Sequence, residues 1–326
     1  MNKKWPFTFI DLFAGIGGFR IPFEHFGGRC VFSSEIDLTA QETYKLNFGD
    51  KPEGDITKIP ARSMPDHDIL LAGFPCQSFS IIGKMLGFAD IRGTLFFDIE
   101  KILLEKRPPY FLLENVPQLI SNQKGRTFNE ILFRLKCLGY HVRWKVLNAL
   151  NFGLPQKRER VFIVGFNENY EFDFPKRNLG YDLNSILEPD SEIPNKYYAS
   201  IHIVKKRLEA VNGKKIFYPS VWHENKAGNV SIHDFACALR ANASYNYQLV
   251  NGVRRFTPRE MLRLQGFPEE FVLCGSYQQM RSQAGNAVPV PVVQAVGNSM
   301  LKSILSGKIS SEHGSDGKQL SIDLEN

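Results

Sequence analysis

The 326-residue sequence predicts an α/β protein, a doubly wound and mostly parallel sheet carrying a small irregular, β-rich second domain. Three observations predict it. Strand-like apolar runs alternate with helix-period segments through the first half of the chain. The first of those runs ends in a glycine cluster, Asp11-Leu12-Phe13-Ala14-Gly15-Ile16-Gly17-Gly18. After Phe166 the alternation stops, and Asn, Tyr, Lys and Gly replace the long apolar runs.

Residues 7–13 read as the first strand, with a helix from about Phe19. Residues 30–33 read as the second strand, 37–47 as a helix and 68–72 as the third strand. Leu95, Phe96, Ile99, Ile102 and Leu103 recur at helical spacing, and residues 110–113 are strand-like again. Phe128, Ile131, Leu132 and Leu135 mark an amphipathic helix, followed by strands near 141–147 and 160–166. Apolar runs this continuous belong to parallel strands covered on both faces. Thr257-Pro258-Arg259-Glu260 is a capping box with proline at the first helical position, and Gly266 suits the end of that helix. Residues 286–305 turn helical toward their end, and the Ser/Gly/charge-rich stretch from Ser306 reads as a frayed tail.

Composition narrows the function classes. Forty Lys and Arg against 34 Asp and Glu give a net charge of +6, a mild excess that points toward a nucleic-acid partner without proving one. A hydrophobic content of 43% excludes a disordered or collagen-like chain. The five cysteines, 30, 76, 137, 237 and 274, are odd in number and lack CxxC spacing. They argue against a disulfide framework or zinc site and for a reducing compartment. With no cleavable signal pattern and no stretch of 18 apolar residues, the chain reads as a soluble cytoplasmic protein with no membrane partner and no metal.

The glycine turn lets backbone approach a ligand at the following helix, and Glu35, about twenty residues on, is placed for a ribose hydroxyl. The glycines alone fit a plain βα turn equally well. The pattern is not GxGxxG, and no basic residue is placed for a pyrophosphate, which favours a nucleoside cofactor without phosphates. Cys76, in Gly73-Phe74-Pro75-Cys76-Gln77, follows the third strand at the edge where α/β folds bind ligands. A thiol acts only when ionised, and a free cysteine is more often a buried structural residue, the reading kept for Cys30, Cys137, Cys237 and Cys274. Glu114 ends an apolar strand, where desolvation can hold a carboxyl protonated; a helix cap or ion pair is the alternative. Arg158 and Arg160, two apart before another strand, share one face if the strand begins early, or belong to a solvated loop.

These residues fall in blocks, DLFAGIGGFR, SSEID, GDI, GFPCQSFS, RGTLFF, ENV, QKRERVF, RRFTPREMLRLQGFP and GNAVPVPV, whose order resembles the C5-cytosine-specific DNA methyltransferases of bacterial restriction-modification systems. The resemblance covers roughly residues 7–166 and 254–298. It implies an S-adenosylmethionine-dependent methyltransferase fold, with a catalytic cofactor-binding domain of residues 1–166 plus 283–326 and a target-recognition domain of residues 167–282. S-adenosyl-L-methionine would lie along Phe13, Gly15 and Gly17, with Glu35 on the ribose, Ile36 beside the adenine, and Asp55 and Ile56 holding that base. Pro75, Leu95, Asn286 and Val288 would close the pocket. The position after the ribose acid is often tryptophan in the family, so Ile36 implies altered packing on the adenine.

The resemblance further implies that Cys76 adds to C6 of cytosine, that Glu114 contacts N3 in its protonated form, and that Arg160 touches the base edge with Arg158 behind it. The target must be flipped out of the duplex. The glycine-flanked loop 81–87 suits a lid, and Ile82 is expected to fill the vacated space, or else to make a minor core contact. Arg240, Asn242 and Tyr245 are the expected base-reading residues. Arg254, Arg255, Arg259 and Arg263 meet phosphates, support the recognition domain, or lie on a solvated helix face. The implied partner is double-stranded DNA, bound by a monomer, with a cognate restriction endonuclease in the same cell but not bound to it. An RNA (tRNA) cytosine-5 methyltransferase and a non-catalytic DNA-binding homologue are the alternatives.

Overall fold

In the computed structural model, which describes residues 7–75, 95–241 and 243–310, six strands build one sheet. β1 (Thr8–Leu12) runs through the glycine turn to α1 (Arg20–His25), β2 (Arg29–Ser34), α2 (Leu38–Phe48) and β3 (Ile69–Gly73). There follow α3 (Leu95–Lys106), β4 (Tyr110–Asn115), α4 (Gln118–Ser121), α5 (Arg126–Cys137), β5 (His141–Asn148), β6 (Gln156–Lys157) and β7 (Glu159–Phe166). The order is β2-β1-β3-β4-β7-β5, parallel from β2 to β4 and antiparallel on both sides of β7. Residues 149–158 are too few for a parallel crossover, so β7 returns against β5 and fills the gap beside β4. The α/β, mostly parallel architecture is the one the sequence predicts.

The second half contributes α6 (Ile201–Ala210), β8 (Val221–Glu224), β9 (Val230–His233), β10 (Ala236–Cys237), β11 (Gln248–Val250), α7 (Pro258–Gln265), α8 (Tyr277–Asn286) and α9 (Val290–Ser306). β11, β8 and β9 form a small antiparallel sheet, whereas β10 pairs in parallel with β6. The capping box at Thr257 and Glu260 forms, and Gly266 ends α7 in the left-handed conformation.

Alternation along the strands divides the main core in two. Phe9, Leu71, Leu112 and Val164 pack on one face with Phe23 of α1 and Val292, Val296 and Met300 of α9. Ile10, Leu70, Leu113 and Ile163 pack on the other with Ile99 of α3 and Ile131 of α5. A separate cluster gathers Leu183, Val221, Val250, Met261, Leu264 and Ala284. Among the described residues no helix is long and apolar enough to cross a membrane.

Candidate active site

The C-terminal ends of β1, β2, β3 and β4 open into a cleft of about 360 Å³. Its wall brings together Phe13, Gly15, Glu35, Ile36, Asp55, Ile56, Pro75, Leu95 and Asn286 with Glu114, Arg158 and Arg160. Phe13 and Gly15 both have a φ of 55°, which the tight turn after β1 imposes. Space beside Gly15 is open, and its amide donates to Glu35 Oε2 at 2.8 Å. Glu35 Oε1 accepts from the Asp37 amide at 2.8 Å, so the carboxylate is fixed at the cleft floor. Burial raises its pKa, opposed by those two amide bonds. Asp55 is fixed by the hydroxyl and amide of Thr57, which hold its carboxyl below the usual range.

Gly17 and Val288 do not line this cleft. Gly17 has a φ of 87°, and a Cβ there would lie 2.3 Å from the Phe48 ring. Val288 packs beneath the turn, where a Cβ on Gly18 would sit 2.8 Å from its Cγ2. Both shape the turn from behind. Ile36 is 68% exposed, an apolar side chain left open at the cleft.

At the other end of the cleft Glu114, 7% exposed, is paired to Arg160, with Nε and Oε1 2.8 Å apart. Burial pushes the Glu114 carboxyl up, while Arg160 and Arg158 pull it back. Glu114 sits opposite Gly73 in the sheet, and a Cβ on that glycine would be 3.4 Å from Oε2. The neighbouring Asn115 donates to the Phe74 carbonyl at 2.8 Å and fixes the chain that leads to Pro75. Cys76 and Ile82 lie outside the described residues, as does Asn242.

Arg158 and Arg160 both line the cleft beside Glu114, but Arg158 is tied down differently. It is 2% exposed and donates to the carbonyls of Leu239, Gly285 and Ala287 at 3.1, 3.0 and 2.8 Å. Its guanidinium therefore joins two remote segments, the chain at Leu239 and the end of α8, while its side chain forms part of the cleft wall.

Among the candidate DNA-contacting residues, Arg240 is exposed, its guanidinium 4.8 Å from the Tyr247 ring centre. Tyr245 is 42% exposed and donates to Gln278 Oε1, while Arg255 donates to Asn246 Oδ1 and lies against the Tyr245 ring. Arg254 is buried in a two-bond pair with Glu260 and a further bond to Asp190, and Arg263 pairs with Glu269. Arg254 is thus a buried support, whereas Arg263 pairs with Glu269 at the surface.

Sequence reasoning missed several residues. Ser34, Ser282, Gln283 and Gly285 also line the cleft. Asp11, fully buried under the glycine turn, has neither carboxylate oxygen hydrogen-bonded among the described residues. The available signal for α8 was Ser276 and Gln279, three apart, which form a second capping box.

One end of this cleft carries Glu35, Asp37 and Asp55 and, among the described residues, no basic side chain. That donor set suits a cationic nucleoside and repels a pyrophosphate. A match to the family C-5 cytosine-specific DNA methylase spans residues 7–302. The chain is 57% identical over 296 residues to the Type II methyltransferase M.HaeII of Haemophilus aegyptius, covering 90% of this chain and 93% of that protein. It is 56% identical over 287 residues to the Type II methyltransferase M.NgoBI of Neisseria gonorrhoeae, covering 88% and 90%. Among solved structures, the Dnmt2 methyltransferase of S. pombe superposes with a TM-score of 0.72 at 21% identity, over 91% of this chain and 99% of that one, a likeness of fold. On the extent of these matches, the chain belongs to the C-5 cytosine-specific DNA methylase family and is a DNA cytosine-5 methyltransferase.

Proposed function

We propose that this enzyme methylates C5 of a cytosine within a short specific sequence of double-stranded DNA, through a covalent bond from Cys76 to C6 of a flipped-out base. The observation that carries the reading is one cleft with an acidic, nucleoside-suited end and, at the other end, a buried Glu114 paired to Arg160. The strand beside Glu114 leads directly to Pro75 and Cys76.

Glu35 takes the ribose hydroxyls, Phe13 and Ile36 cover apolar faces, and Asp55 with Ile56 holds the adenine. Bound there, S-adenosyl-L-methionine supplies an electrophilic methyl group for C5. The Cys76 thiolate adds to C6 while Glu114, protonated, donates to N3, so the ring loses aromaticity and C5 becomes enamine-like. Arg160 orients Glu114 and the base edge. After C5 has been methylated its proton leaves to a base, and the C6–S bond breaks to restore the aromatic ring and the thiolate. No step calls for a metal. Ile82 fills the space left in the duplex.

Residues 167–282 act as the recognition domain, and residues 1–166 with 283–326 as the catalytic one. The two named relatives are Type II methyltransferases, which supports a restriction-modification role, with an endonuclease of matching specificity in the same cytoplasm. The test is transfer of labelled methyl groups to duplex DNA and to RNA, followed by bisulfite sequencing of DNA from cells expressing the chain. Methylcytosine at one DNA sequence is expected. Transfer to RNA alone, or none, overturns the reading.

A further inference from the structure

Sequence discrimination needs a reader held still, because hydrogen bonds to base edges tolerate little displacement. The exposed Arg240 belongs to the loop between β10 and β11, whose described residues, 238–241 and 243–247, are clamped in both stretches. On the entry side, Arg158 donates to the Leu239 carbonyl. Gly285 of α8 lies so close beneath that a Cβ there would be 2.7 Å from the Ala241 nitrogen and 3.0 Å from the Arg240 carbonyl carbon. On the exit side the clamp is Arg281. It is 6% exposed, donates from Nη1 to the Ser244 carbonyl at 2.9 Å, and lies 4.6 Å from the Tyr245 ring centre. Its Nε has no partner among the described residues. A guanidinium so placed grips backbone and ring together, which a planar fork can do and an ammonium cannot.

The opposite side of α8 is tied to the cofactor end of the molecule. Gln279 donates to Thr39 Oγ1 at 2.9 Å, and Gln283 accepts from Thr43 Oγ1 at 2.7 Å, both on α2. One rigid helix therefore spans from α2, beside the cleft, to the loop that presents Arg240.

We propose that Arg281 is a positioning residue for sequence discrimination: it fixes the 238–247 loop on α8, so that the reader stands at a set distance from the methyl-transfer cleft. The inference rests on the DNA-methylating function proposed above. Once the methylated sequence is mapped, kcat and KM are measured on a duplex carrying it and on duplexes with one base changed outside the target cytosine. In R281A the ratio of kcat/KM values between them is expected to fall roughly ten-fold or more, through KM for DNA. The dissociation constant for S-adenosylmethionine should stay within about two-fold of the parent, because α8 keeps its ties to α2. R281K, with charge but no fork, is expected to fall between R281A and the parent. Unchanged discrimination in R281A overturns the proposal, as does a fall matched by an equal loss of cofactor affinity. If R281A does not fold, R281K decides, and parental discrimination there overturns it. A parent chain that methylates no DNA fails at the mapping step, and overturns the functional reading itself together with this inference.

Discussion

Replacing Arg158 by methionine removes a buried charge and its donors while keeping most of the side-chain volume. Three carbonyls, those of Leu239, Gly285 and Ala287, then lose their guanidinium bonds of 3.1, 3.0 and 2.8 Å in a site where Arg158 is 2% exposed. A buried acceptor left unpaired costs about 1–3 kcal/mol, so the gross loss is roughly 3–9 kcal/mol. Against it, burial disfavours the Arg158 charge, with Arg160 adding repulsion, and the variant recovers a few kcal/mol of that desolvation. The expected net loss is about 2–4 kcal/mol, a large share of the roughly 5–15 kcal/mol that holds a typical protein folded. Urea denaturation of parent and R158M, followed by tryptophan fluorescence and circular dichroism, measures it. Activity of the folded R158M at low temperature should survive better than that of R160A. A stability change under about 0.5 kcal/mol would refute the strut and return Arg158 to the chemistry.

Three further outcomes follow from the same geometry. Because burial raises the pKa of Glu114, its protonated fraction is lost only as pH rises through that raised value; single-turnover methylation should decline on that alkaline side. E114Q should lack this limb and run roughly 100-fold slower, and a limb that persists in E114Q would clear Glu114 of the role. I36W should bind S-adenosylmethionine about three- to ten-fold tighter by calorimetry, since an indole offers the adenine a broader face than an isoleucine that is 68% exposed; equal or weaker binding counts against adenine packing there. Burial holds the pKa of Asp11 well above its ordinary value, with Arg20 opposing, so the folded state binds the extra proton and stability falls as pH rises above about 4. D11N should therefore melt higher than the parent near about pH 8 and converge with it near about pH 4, whereas a lower melting point at the alkaline end would mean an ionised, paired Asp11.

Continuous apolar runs made β3 and β4 legible, because strands covered on both faces leave no polar positions to confuse the pattern. Direction is another matter. Apolar spacing reports burial, so the antiparallel place of β7 waited on the short connection from β5. α8 escaped because Gln283 and Arg281 are buried by virtue of their hydrogen bonds, which a hydrophobic pattern does not register. Within the cleft, the family blocks located Glu35 and Asp55 at one end and Glu114 at the other, yet the same blocks contain Gly17 and Val288, which shape the turn from behind. A motif marks residues under one geometric constraint and does not say which of them face the ligand. Arg158 shows the limit most sharply. Its spacing from Arg160 suggests a shared site, and both line the cleft, yet its carbonyl partners stand more than eighty residues away along the chain.

The central claim is the covalent bond between Cys76 and the target cytosine. Duplex DNA with 5-fluorocytosine at the mapped position blocks the final elimination, because fluorine at C5 cannot leave as a proton does. Incubated with S-adenosylmethionine and this enzyme, that DNA should give a denaturation-resistant complex of one chain per duplex, with the mass of the adduct on the peptide that contains Cys76. C76S should give none. A complex that persists in C76S, or an adduct mapped to another residue, contradicts the account.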